Sequence, residues 1–433
     1  MKTIMIILST FLFCTLFCCC SDDNEESYDN EETIIDLIPK KNPIRLTESQ
    51  RNHVKTANNF TFNLFRHTDS RESSRIVSPI SATFLLGMLN AGATGETSNE
   101  IMNVMGFEGT DKKALNEFCS ALIENAPKVD SNVKLNIANG LFANNEINIL
   151  PAYIHEIQRF YKASAQSLDF SNPTALSIIN QWCGNQTNGM ISHILEEVSP
   201  DAFAYLINII NFKATWTERF NPKHTQSEIF TKEDGTKITL PMMHRRAKAL
   251  YAKSESFSAL CLPYSSGAFN MYILLPNDGV SVNDVINGMT DDSWSELRDK
   301  MNDEENQDQD NTDYGYKMSL PRYIDIKIPR FSASYNIELD KILKGMGLEK
   351  AFSDRAEFPY ISDQDLHVTK MWQSSKIEVD EQGTKTATAT AAEMAEGALP
   401  EIEIPFHADH PFAYIIQENT SDVIFFIGTY MGL

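Results

Sequence analysis

The residue types that build active sites are present in this 433-residue chain, but their spacing does not assemble them. Nine histidines are scattered, and none sits four residues from another with a glutamate behind it, the arrangement that sets two metal ligands on one helical face. There is no Gly-x-Ser-x-Gly elbow, no phosphate-cradling glycine loop and no Gly-x-Gly-x-x-Gly after a strand. No metal site, cofactor or enzymatic activity is expected, although a triad drawn from distant residues would leave no such motif.

One stretch carries a pattern with consequences. It runs from Val379 through Asp380-Glu381-Gln382-Gly383 into Thr384-Lys385-Thr386-Ala387-Thr388-Ala389-Thr390-Ala391-Ala392, and on to Ile404. At the period of a strand, Thr384, Thr386, Thr388 and Thr390 share one face, with Lys385, Ala387, Ala389 and Ala391 on the other. Past Lys385 nothing bulky or charged opposes burial until Glu393, and no proline occurs from Gly383 through Leu399. Such a ribbon is able to be an exposed loop in one state and a central strand in another, with Gly383 as a hinge. The same composition also suits an inert solvated loop.

Elements on either side must position this ribbon. Thr47-Glu48-Ser49-Gln50 has the spacing of a capping box and predicts a helix reaching His67. Ser78-Pro79 predicts a capping hydroxyl and a first-turn proline ahead of Ile80–Ala93, a helix apolar on nearly every side and therefore internal. Thr97 to Glu100 has the capping-box spacing again. From Tyr205 onward, apolar and β-branched runs predict strands at Tyr205–Phe212, Ala268–Leu275, Tyr323–Ile328, Phe412–Gln417 and Val423–Thr429. Helices early and strands late predict an α+β fold with mostly antiparallel sheets. The acidic and amide run Asn302–Asp313 reads as a surface loop.

The formal charge of −22 at pH 7, with no basic stripe, excludes nucleic-acid binding. Met1-Lys2 and the short apolar run Ile4–Phe17 have the form of a secretory signal over residues 1–19, too short to span a membrane. Cys18-Cys19-Cys20-Ser21-Asp22-Asp23 resembles the end of a bacterial, Bacteroides-type lipoprotein signal, with Cys20 as the lipid anchor. Cys18 or Cys19 would serve if cleavage shifted, and a plain secretory signal is the alternative. Residues 20–46 read as an acidic flexible tether. The lipid would be the only contact with a membrane, placing the chain in the secreted, outer-membrane or cell-surface compartment. Three scattered body cysteines, Cys119, Cys183 and Cys261, make no disulfide framework and read as core residues.

Over residues 47–433 the chain resembles the serpin family. Glu381, Gly383, Thr384 and Thr386 to Ala389 match the hinge of its inhibitory members. Ser78-Pro79-Ile80-Ser81, the set Asn180, Trp182, Thr187, Gly189 and Ile191, the set Asn208, Phe212, Lys213, Trp216 and Phe220, and Pro329-Arg330-Phe331 match further motifs. So do Ala408-Asp409-His410-Pro411-Phe412 and Phe426-Ile427-Gly428 at the end of the chain.

The resemblance implies the serpin fold as a single domain, with a reactive loop at about 381–404. It further implies a target protease that cuts the loop and is trapped covalently, by an inhibitor expected to act as a monomer. It places a "shutter" at Ser78, Ser81, Asn208 and Gln373, where Gln373 replaces the family's usual histidine and is expected to bond to Ser81 and Asn208. It places a "breach" at Trp216, Arg330 and Glu381, with Arg330 and Glu381 paired. Counting from the hinge puts the reactive bond at Gly397–Ala398, and counting back from Phe406 puts it near Pro400, giving a window of Gly397, Ala398 and Leu399. These residues imply elastase-like, chymotrypsin-like or papain-like targets. A non-inhibitory serpin, a surface binding lipoprotein and an extracellular hydrolase are the alternatives.

Overall fold

The computed structural model describes residues 41–68, 73–303, 322–382 and 402–432. Six helices come first: α1 (Glu48–Arg66), α2 (Pro79–Gly92), α3 (Gly95–Met105), α4 (Lys112–Asn125), α5 (Pro151–Tyr161) and α6 (Thr174–Gln186). Three follow later: α7 (Val282–Asn287), α8 (Asp291–Asn302) and α9 (Leu339–Gly345). The central sheet draws strands from both halves of the chain. Its order is β11 (Phe331–Glu338), β12 (Lys370–Val379), β4 (Ala204–Lys213), β2 (Lys134–Asn144) and β3 (Ser164–Leu168).

A six-stranded sheet runs β1 (Arg75–Val77), β15 (Val423–Tyr430), β14 (Phe412–Glu418), β9 (Phe269–Pro276), β8 (Phe257–Tyr264) and β7 (Tyr251–Lys253). A four-stranded sheet runs β13 (Ile402–His407), β10 (Arg322–Pro329), β6 (Lys237–Ala247) and β5 (Gln226–Thr231). Most joins are antiparallel. Within the central sheet, β12 and β4 lie side by side in parallel, from Lys370 opposite Tyr205 to Ile377 opposite Phe212.

Burial explains why β4 is central. Leu206, Ile210 and Phe212 enter the main core, while Tyr205, Ile207 and Ile209 pack into a second cluster with Ile179 and Cys183 of α6. A strand covered on both faces is largely apolar on both, and β4 is so apart from the buried Asn208 and Asn211. Every residue of α2 except Ala91 is buried, as its all-round apolarity demanded. It lies between the central sheet and β15.

Several local expectations change. The box at Thr47 forms as the spacing predicts: Thr47 Oγ1 accepts from the Gln50 amide and the Gln50 side chain accepts from the Thr47 amide. At α2, Pro79 takes the first turn but the Ser78 hydroxyl caps nothing; Gln373 on β12 bonds the Ser78 backbone instead. α3 begins before Thr97, which is buried inside it. Its first amides, at Glu96 and Thr97, are capped at 2.8 and 3.3 Å by the Glu357 carboxylate, a residue no local pattern could supply. Asn42–Leu46, expected to end the tether, dock on the body: the Asn42 amide bonds the Val129 carbonyl, and Ile44 and Leu46 are buried.

Strands β2 and β12 went unread because the Asn136, Asn139 and Gln373-Ser374-Ser375 positions break their apolar runs. Residues 1–40 with Cys20, and nearly all of the acidic run, lie outside the described residues. Among those described, no helix is long and apolar enough to cross a membrane, and no cluster is arranged to hold a metal ion. Glu357→Ala is expected to cost about 1 kcal/mol through loss of the α3 cap, measurable as a lower thermal unfolding midpoint.

Candidate functional site

Where β12 leaves the central sheet, the chain is pinned by three consecutive carbonyls. Asp380 O accepts from Trp216 Nε1 at 2.8 Å, Glu381 O from the Phe220 amide at 3.0 Å, and Gln382 O from the Trp216 amide at 3.4 Å. Trp216 is held in turn by stacking on Tyr264, with ring centroids 4.2 Å apart and planes inclined by 11°. The buried Glu381 carboxylate accepts from both Arg330 Nη2 and Nε, the latter at 3.1 Å, and from Thr225 Oγ1 at 2.6 Å.

Burial pushes the Glu381 carboxyl up, but the hydrogen bonds from Arg330 and Thr225 outweigh it and hold the group below the ordinary glutamate range. Trp216, Arg330 and Glu381 therefore meet as expected. Thr225 was missed; a threonine in a turn after Pro222 gives no sequence signal of its partner, 156 residues away.

Further down β12, Gln373 is fully buried and faces the core. Its Oε1 accepts from the Ser78 amide at 3.0 Å and its Nε2 donates to the Ser78 carbonyl at 2.7 Å. This corrects the expected bonds to Ser81 and Asn208. Gln373 stands in register with Asn208 across the parallel seam, but Asn208 Nδ2 donates instead to Asn139 Oδ1 at 2.9 Å. Asn139 in turn donates to the Tyr161 carbonyl.

A primary amide offers a donor and an acceptor side by side, matching the adjacent N–H and C=O of one residue, whereas the Ser81 hydroxyl offers a single atom and the Asn208 amide has given its donor to Asn139. Ser78, Ser81 and Asn208 do gather beneath the seam, with Ser78 Oγ, Ser81 Oγ and Asn208 Oδ1 buried and unpaired. The expected hinge residues Gly383, Thr384, Thr386, Ala387, Thr388 and Ala389, and the window Gly397, Ala398 and Leu399, lie outside the described residues.

The family model Serpin (serine protease inhibitor) matches residues 55–433. The chain belongs to the serpin family. Serpin-ZX of Arabidopsis thaliana is 31% identical over 413 residues, covering 87% of this chain and 97% of that relative. Among solved structures, the native state of the thermophilic serpin tengpin shares 25% identity at a TM-score of 0.78, covering 91% of this serpin and 97% of that chain. Human thyroxine-binding globulin, solved with its hormone, shares the fold at a TM-score of 0.77 and 24% identity, covering 89% and 99% of the two chains. The motifs at Ser78, Trp216, Arg330 and Ala408–Phe412 thus belong to a serpin framework, and serpins are typically protease inhibitors.

The three described cysteines of this serpin are buried and free. Burial pushes the Cys183 and Cys261 thiols up to about 12 and Cys119 higher still, which suits core residues and not nucleophiles.

Two replacements probe the site. Gln373→Ala leaves the buried Ser78 amide without its partner, while the Ser78 carbonyl keeps the Ser81 and Ala82 amides, at about 1–3 kcal/mol for the orphaned group; faster heat-induced polymerisation is expected, and an unchanged rate would count against a clamp. For Glu381, a depressed carboxyl contributes stability above the ordinary carboxylate range that is lost as pH falls through its own lowered value. Glu381→Gln should therefore melt below the wild type at neutral pH, and the gap should close only below about pH 4.

Proposed function

We propose that this serpin inhibits extracellular proteases as a suicide substrate. The observation that carries this reading is the parallel join of β12 and β4, with β12 running straight into the pinned residues Asp380–Gln382. A chain that turns back at Gly383 and enters beside β12 runs antiparallel to both neighbours. It replaces one parallel join by two antiparallel ones, which are better hydrogen-bonded. This is the strand addition for which serpins are known. About a dozen inserted residues, each adding about one net ladder bond at about 1 kcal/mol, give roughly 10 kcal/mol, comparable to the whole stability of a typical fold. The uncut form is then kinetically trapped.

In the cycle, the protease nucleophile attacks the carbonyl before the scissile bond, an acyl-enzyme forms and the new amine departs. Insertion carries the bound enzyme away before water reaches the acyl carbon. The serpin is consumed as a substrate and performs no catalysis of its own. The window Gly397–Leu399 suits elastase-like enzymes through its small residues and chymotrypsin-like or papain-like enzymes through Leu399. No Arg or Lys lies between Thr386 and Ile404, which disfavours trypsin-like targets. Export as a lipoprotein anchored at Cys20 would hold the inhibitor at the cell surface, where such enzymes are met. Thyroxine-binding globulin shows that a serpin fold also accommodates a small ligand, so the inhibitory step needs its own test.

Incubation with pancreatic elastase is expected to give an adduct that survives boiling in detergent, and the nicked protein is expected to melt well above the intact one. Thr384→Arg or Ala389→Glu, which place a charge where insertion buries the chain, should release cleaved serpin and active protease. Adducts from both variants, or a nicked form melting no higher than the intact one, would sink the insertion mechanism.

A further inference from the structure

Three of the nine histidines gather at one corner, around the strand that returns from residues 383–401. In the four-stranded sheet, Lys327 of β10 lies opposite both His407 of β13 and His244 of β6. Asp325, two residues along β10, shares that face. Its Oδ2 accepts from His407 Nε2 at 2.7 Å and its Oδ1 from His244 Nε2. One carboxylate on the middle strand thus ties both neighbours.

The turn after β13 carries the third imidazole. His410 Nδ1 faces Asp409 Oδ1 at 2.9 Å and Nε2 faces the Pro276 carbonyl, at the end of β9 in the other sheet, at 2.9 Å. Both are acceptors with no proton to give. Only the imidazolium donates from both ring nitrogens, so the geometry is that of the charged form. The turn is fixed further by the Thr231 amide on the Asp409 carbonyl and the Ala408 amide on the Lys327 carbonyl.

The other charges on these elements are largely matched among themselves. Lys327 pairs with Glu228 of β5 at 2.9 Å, and Arg246 of β6 lies 3.5 Å from Glu403 of β13 and over the Tyr323 ring of β10. Arg245 turns to Glu218 and Phe220, and Asp278 adds a further negative charge near His410. Asp325 is left to the two imidazoles, and Asp409 to the third.

We propose that the turn following β13 is an acid-tightened fastening, in which His410, held between Asp409 and the Pro276 carbonyl, grips the end of the strand more firmly at about pH 6 than at about pH 8.5, while His244 and His407 tie β13 to β6 through Asp325. Imidazoles gain their charge across this interval, and a hydrogen bond from a charged donor is about twice as strong as one from a neutral donor.

The Asp409 hydrogen bond raises His410 above the ordinary imidazole value despite its burial. Its contribution is complete below that ordinary value and is lost as pH rises through the raised one. Asp409 is lowered by its bond to His410. Burial pushes Asp325 up, but its two imidazole bonds outweigh this and leave it lowered. The grip therefore persists in acid until these carboxylates protonate below their usual range. His53 and His367, lowered by burial, act in the opposite sense elsewhere in the molecule, so the effect must be read locally. The fastening does not depend on the inhibitory reading; where that reading holds, it governs how firmly the far end of the reactive segment is anchored in the uncut protein.

Hydrogen exchange on the full chain, without protease and corrected for intrinsic rates, tests this at about pH 6 and about pH 8.5. Wild-type amides of residues 402–404, 406 and 407 are expected to exchange on the order of tenfold slower at the lower pH. His410→Gln should lose much of that difference. Because the Asp409 side chain is 57% exposed, Asp409→Asn provides a fold-tolerant check. Its deficit in thermal midpoint against the wild type should be large at about pH 6 and small at about pH 8.5. Equal wild-type exchange at both values, or a pH-independent deficit in the variants, would overturn the proposal.

Discussion

The parallel join of β12 and β4 is the constraint around which the rest of this serpin is arranged. Parallel neighbours need a long connection between them, and the chain from Lys213 to Lys370 supplies it, contributing β5, β6 and β10 to one of the other sheets and β7, β8 and β9 to the other on the way. The join is also the weaker kind of ladder, and its core face carries polar groups in place of a continuous apolar stripe: Asn208, Gln373 and Ser375 are all fully buried there. A seam built from amides and hydroxyls holds only while each finds a partner, and several of those atoms do not.

Two fasteners act on this seam from different distances. At its upper end, Glu381 is fixed by Arg330 and Thr225, and the backbone beside it by Trp216 and Phe220, so the direction in which the chain leaves β12 is set by four residues from three separate stretches. In its middle, Gln373 ties β12 to the first turn of α2. Because α2 is buried and also packs on β15, a shift of β12 at that point would be felt in the six-stranded sheet. An amide does not titrate, so this tie is indifferent to acidity, unlike the imidazole of His410 in the turn after β13.

Much of this was legible in the sequence, for identifiable reasons. α1 and its box follow from Thr47 and Gln50, the burial of α2 from its apolarity on every side, and β4, β9, β14 and β15 from runs dense enough in apolar and β-branched residues to outweigh Asn208, Asn211 and Asn270. The pairing of Arg330 with Glu381 came from family likeness and not from spacing, since nothing local links two residues 51 apart. The illegible parts share a cause: they depend on partners brought close only by folding. Glu357 capping α3, Thr225 reaching Glu381, and Gln373 choosing the Ser78 backbone over the side chains of Ser81 and Asn208 are all long-range bonds between residues with no individual signature. Strands β2 and β12 were hidden because the polar residues that make the seam distinctive are the ones that disguise it as loop.

The burial of Cys119, Cys183 and Cys261 has a practical corollary. Thiol exchange proceeds through the thiolate, and thiols enclosed in α4, α6 and β8 with strongly raised pKa values form almost none near neutrality. Residues 41–433 can therefore pass between reducing and oxidising surroundings without cross-linking while folded. Cross-linking through Cys119, Cys183 or Cys261 would first require the fold to open around them.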